Sequence, residues 1–99
     1  MDNVGGRTID FELWQLQHAF KHAADFGVEG NCNVRALRAF RLALERHIQS
    51  SGTEARAGWF RRMPVTHFVD RETGLNVMRD TQGKFLSGWR LSPRQMAQY

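Results

Sequence analysis

Apolar residues change their spacing once along this chain, at Ser50-Ser51-Gly52, and that change limits the folds open to it. Before it they recur every three or four residues, as a helix requires. After it they fall in short segments between turn signals, as strands require. Leu13, Leu16, Phe20, Ala23 and Ala24 form a stripe on a helix predicted from Phe11 to Asp25, with Asp10 as N-cap and Gly27 as its stop. Leu37, Phe40, Leu44 and Ile48 form a second stripe on a helix from Val34 to Gln49, capped by Asn33. Strands are predicted at Glu54–Met63, Val65–Asp70, Leu75–Arg79 and Lys84–Leu91, with Pro64 separating the first two because a central strand rejects proline. Ser92-Pro93 opens a short final helix. The pattern predicts an α+β fold: two N-terminal helices packed on one face of a roughly four-stranded antiparallel sheet, with a short C-terminal helix.

A chain of 99 residues makes one small domain, 1–99, in which residues 1–9 read as a flexible lead-in jointed at Gly5-Gly6. No apolar run approaches the roughly 20 residues that cross a bilayer, and no basic-then-apolar leader is read at the N-terminus. The single cysteine, Cys32, excludes an internal disulfide. The net charge of +4 resides in residues 51–99, where seven Arg and Lys84 oppose four acids, while residues 1–50 balance. Arginine suits bidentate contact with phosphate, so this half is suited to an anionic partner. Genome bias toward arginine is the plainer source of the same composition.

The face of the first helix opposite its apolar stripe carries Phe11, Trp14, His18, Lys21, His22 and Asp25. Histidine exchanges protons near neutral pH, and a neighbouring cation stabilises charge on a phosphate. The same residues also fit an ordinary solvated helix face. His18 and His22 have the i, i+4 spacing of a metal pair, but neither an HExxH motif nor further ligands complete a site, so no metal is expected. His67, alternating with Val65 and Val69, reads either as a buried, hydrogen-bonded residue or as the second histidine of a two-histidine ribonuclease. His47 reads as a surface or boundary residue and Cys32 as inert. In Phe85-Leu86-Ser87-Gly88-Trp89-Arg90, Ser87 and Trp89 share a strand face. Their hydroxyl and indole, with backbone exposed at Gly88, suit a phosphate or an unpaired base; Phe85 and Leu91 share that parity, which favours burial instead. Trp59 and Phe60, beside Arg61 and Arg62, present the same choice.

Two sets of residues, read together, resemble a known family. Phe20-Lys21-His22-Ala23-Ala24-Asp25-Phe26-Gly27-Val28 is followed by Pro64-Val65-Thr66-His67-Phe68, Thr73-Gly74-Leu75-Asn76-Val77-Met78 and Ser87-Gly88-Trp89-Arg90-Leu91. This series is similar to the C-terminal nuclease domains of colicin D-type bacteriocins and contact-dependent inhibition toxins. The resemblance spans about residues 12–95. It implies a metal-independent ribonuclease, needing no cofactor, that cleaves tRNA in the anticodon loop and leaves a 2′,3′-cyclic phosphate and a 5′-OH. It implies His22 as catalytic base, with Lys21, Ser87 and Trp89 in the catalytic set. His18, Arg61, Arg62, Lys84 and Arg90 are expected to contact substrate. At position 19, where the family pattern has a further lysine, this chain has Ala19. The resemblance also implies release from a larger secreted toxin, action in the target cell's cytoplasm without membrane anchoring, and an acidic immunity protein that occludes the site. A non-catalytic RNA-binding module and a nuclease acting on ribosomal RNA are the rival readings.

Overall fold

In a computed structural model, residues 5–99 are described. They form α1 (Leu13–Ala19), a 3-10 helix (Phe20–Phe26), α2 (Val34–Gln49), β1 (Thr53–Phe60), β2 (Met63–Asp70), β3 (Leu75–Asp80), β4 (Phe85–Arg90) and α3 (Pro93–Met96). The strands pair antiparallel in the order β1-β2-β3-β4, a meander with one face packed against the helices. The α+β reading of the sequence holds.

Local chemistry accounts for most boundaries. The Asn33 side chain accepts from the Ala36 N–H at 2.9 Å and starts α2 where expected. Gly27 takes φ 84° and returns its N–H to the Ala23 and Ala24 carbonyls, which ends the 3-10 helix. Ser92 and Gln95 form a capping box around α3. Phe40 and Leu44 of α2 are fully buried against Phe68 and Val77 of the sheet.

Four expectations change. The first predicted helix is two segments, because the backbone tightens to 3-10 winding at Phe20. The inward face differs too: Leu16, Ala19 and Ala23 are buried, while Leu13, at the first turn of α1, and Ala24 are exposed. Asp10 does not cap this helix. Its N–H bonds to the Gly83 carbonyl and its carbonyl accepts from Phe85, forming a bridge beside β4. Of the predicted lead-in, residues 1–4 lie outside the described residues, whereas Gly5–Arg7 is a 3-10 turn and Arg79 donates to the Gly6 and Thr8 carbonyls.

The hairpin between β1 and β2 also turns earlier than expected. Phe60 pairs with Met63, leaving Arg61 (φ 49°) and Arg62 (φ 68°) as a two-residue turn in the left-handed region. Pro64 therefore lies inside β2. The pair flanking such a turn exchanges hydrogen bonds, so the next pair, Trp59 and Pro64, does not. An N–H at position 64 would point toward β3, whose pairing begins only at Val65 and Asp80, so proline forfeits no ladder bond there.

Candidate active site

Register decides what each sheet face carries. Phe68, Val77 and Gly88 stand opposite one another and face the helices; His67, Met78 and Ser87 form the adjacent row on the other face. Strand β4 keeps this register until Met78, then slips by one residue, so that Arg79 pairs with Phe85. The extra residue is Leu86. This bulge separates side chains that a regular strand would place together. Phe85 enters the helix-side core and stacks on Phe11, with ring centroids 5.0 Å apart, while Ser87 and Trp89 turn toward an open cleft. The amide of Gln15 donates to the Leu86 carbonyl, which ties α1 to the bulge.

The cleft has a volume of about 290 Å³. Gln15, His18, Lys21 and His22 form the helical wall; Met78, Leu86, Ser87 and Trp89 form the strand side; Phe60 and Arg61 come from the hairpin. Among the described residues, no carboxylate lines it. Such a lining, with donors and cations beside aromatic rings, is chemically suited to an anion carrying a planar group. His22 lies beside Trp89, with ring centroids 6.5 Å apart. Two contacts behind the cleft hold this pair in place. The Asp25 carboxylate accepts from the Arg90 N–H at 3.0 Å, fixing the 3-10 helix to β4. The Trp89 indole N–H approaches Gln95 Oε1 at 3.4 Å, and the same oxygen accepts from Ser92 N–H at 2.9 Å, so α3 orients the ring.

The structure thus gathers six of the nine residues expected to act on or contact substrate: His18, Lys21, His22, Arg61, Ser87 and Trp89. Arg62, Lys84 and Arg90 do not line the cleft. Lys84 pairs with Glu12 at 3.6 Å, and Arg90 donates to the Thr73 and Asp25 carbonyls. Ala19 is 1% exposed and belongs to the core, so its side chain faces away from the site. Gly88, expected to expose backbone to a phosphate, is buried instead against Leu44 and Phe26.

His67 takes the buried role of its two readings. Asn76 Nδ2 donates to its Nδ1 at 3.2 Å, which leaves the ring proton on Nε2, facing the Tyr99 hydroxyl at 3.1 Å. Burial holds its pKa below the ordinary imidazole value. His47 is buried too, more than a boundary residue would be; its Nε2–H donates to the Phe68 carbonyl at 2.8 Å, and burial lowers its pKa. Among the described residues, no group of three or more His, Cys, Asp or Glu side chains is placed to hold a metal ion, and no helix is long and apolar enough to cross a membrane. Phe60, which the sequence left between core and substrate contact, lines the cleft, whereas Gln15 and Met78 were given no role in the sequence. Only cross-strand and helix-to-strand packing brings them to the cleft.

The family described as Colicin D matches residues 15–99 of this chain. Colicin-D of Escherichia coli is 32% identical over 84 residues, which are 84% of this chain and 12% of that protein, so the chain spans a small part of that relative's length. A solved structure, a ribonuclease from Escherichia coli complexed with its inhibitor protein, matches with a TM-score of 0.76 at 32% identity, covering 80% of this chain and 85% of that one.

Proposed function

This chain belongs to the colicin D family, and from that premise we propose that it is the ribonuclease domain of a bacterial toxin, cleaving tRNA in the anticodon loop without a metal ion. The observation that carries the reading is the cleft itself. It joins His22 and Lys21 of the 3-10 helix to Ser87 and Trp89 of β4 and has no lining carboxylate among the described residues. RNA brings its own nucleophile, the ribose 2′-OH. His22 takes its proton, O2′ bonds to phosphorus, and the P–O5′ bond breaks. Lys21 and the Ser87 hydroxyl stabilise the charge that gathers on the phosphoryl oxygens, while the Trp89 ring, its N–H turned to Gln95, offers a face to a base. The products are a 2′,3′-cyclic phosphate and a 5′-OH. An anticodon loop suits the cleft because its bases are unstacked and its backbone is bent, so an exposed ring face can hold a base without reading a duplex.

The ribonuclease of the matching structure is complexed with an inhibitor protein. For this chain the partner is an acidic immunity protein whose carboxylates occupy the phosphate positions near Lys21 and His22. The domain is delivered by a larger secreted toxin and acts in the cytoplasm of the target bacterium.

Purified protein incubated with total bacterial RNA tests the reading. Discrete tRNA halves ending in cyclic phosphate are expected, with no change on adding EDTA. His22→Ala should lower the rate by at least about 100-fold, the scale of general-base catalysis. Binding without products would establish the rival RNA-binding module. Cleavage of ribosomal RNA with tRNA intact would move the substrate, and loss of activity in EDTA would restore a metal.

A further inference from the structure

We propose that His18 is the general acid of this reaction, delivering a proton to the leaving 5′-oxygen; the assignment rests on the ribonuclease reading. Transesterification needs two proton transfers. His22 accepts one from the 2′-OH, and the departing 5′-alkoxide needs another, because an unprotonated alkoxide is a poor leaving group.

The donors lining the cleft are few. Gln15, Arg61, Ser87 and Trp89 offer amide, guanidinium, hydroxyl and indole protons, which are held too tightly to be given up near neutral pH. The Lys21 ammonium is suited to holding charge beside the phosphate rather than to passing protons. Imidazole is the side chain that does pass them. The chain has four histidines, of which only His18 and His22 line this cleft. His47 is engaged with the Phe68 carbonyl, and both ring nitrogens of His67 are engaged with Asn76 and Tyr99. The second histidine of the pair is therefore on the helical wall, not on β2.

His18 is carried into the cleft by α1. One turn before it, Gln15 is tied to the Leu86 carbonyl, the bulge that aims Ser87 into the cleft. His18 lies in the last turn of α1, whereas His22 lies on the 3-10 helix, so the two rings come from differently wound segments of one wall. In the proposed step the 2′-OH proton passes to His22, O2′–P forms, P–O5′ breaks, and O5′ takes the proton of the His18 imidazolium. The enzyme returns to its starting state when the two histidines re-equilibrate their protons with water.

A leaving group that needs no proton separates this role from simple binding. Substrate RNA is assembled by ligation with either oxygen or sulfur at the bridging 5′ position of the mapped cleavage site, and single-turnover rates are measured for wild type, H18A, H18Q and H22A. His18 is exposed, so circular dichroism melts of its variants should match wild type. On the oxygen substrate, H18A and H18Q should lose about 100-fold in kcat with little change in KM. On the sulfur substrate, where a thiolate leaves unaided, they should return to within about threefold of wild type while H22A stays impaired. Equal losses on both substrates, or full activity of H18Q on the oxygen substrate, would overturn the assignment. Failure of wild type to cleave either RNA would instead overturn the ribonuclease reading and take this proposal with it.

Discussion

Replacing Gly88 by alanine should press β4 away from the helices. A methyl group there would lie 2.9 Å from Leu44 Cδ2, 3.3 Å from Phe26 Cζ and 3.4 Å from the Asn76 carbonyl. Leu44 is fully buried among packed side chains, so its methyl has no free space to enter. Gly88 has no left-handed backbone angle, and the substitution is therefore a test of packing alone. Overpacking of this kind costs about 1–3 kcal/mol, or about 5–20 °C in Tm for a domain of this size. Ser87 and Trp89 flank Gly88, so cleavage per folded molecule should fall as well. A double-mutant cycle isolates the contact. Leu44→Ala alone should cost about 2–5 kcal/mol through the cavity it leaves. In G88A/L44A the new methyl fills part of that cavity, so the double mutant's loss should fall short of the sum of the single losses by about 0.5–3 kcal/mol. Thermal melts of the four proteins supply the cycle. Strict additivity, or a G88A protein as stable and active as wild type, would refute the close approach of β4 to α2.

The hairpin tip separates stability from binding. A left-handed angle costs a non-glycine residue about 1–2 kcal/mol, and glycine gives back about 0.5–1 in backbone entropy, so Arg62→Gly should raise Tm by about 2–6 °C without loss of cleavage. Arg61→Gly should gain similar stability but raise KM, because Arg61 lines the cleft; an unchanged KM would remove it from the substrate path. Acid should destabilise the fold. His47 and His67 have folded pKa values lowered by burial, so the unfolded chain binds more protons as pH drops below about 6.5. Their stabilisation is complete above that pH and is lost as pH falls toward the folded values, at about 1.4 kcal/mol per unit of depression for each group. Urea titrations at pH 7.5 and 5 should show the loss, and His67→Gln should diminish it.

Much of this protein follows from interactions between near neighbours in the chain. Helix α2 starts and stops where Asn33 and its apolar spacing put it, because a cap and a 3.6-residue period are local properties. The outward position of Lys21 and His22 was legible for the same reason, and the resemblance to toxin nucleases gave those residues a chemistry. What sequence spacing left undecided is what strand register decides. Phe85, Ser87 and Trp89 have one parity on paper, and only the bulge at Leu86 divides them between core and cleft. The burial of His67 was not legible either, because its partners, Asn76 from β3 and Tyr99 beyond α3, reach it only through tertiary packing. The turn at Arg61-Arg62 defies the usual turn residues, so β1 appeared to run on to Met63, and Pro64 fits β2 only because β3 ends beside it. A strand's own sequence carries a period of two, but the partner residue it meets, and where it slips, depend on helices and strands far away in the chain.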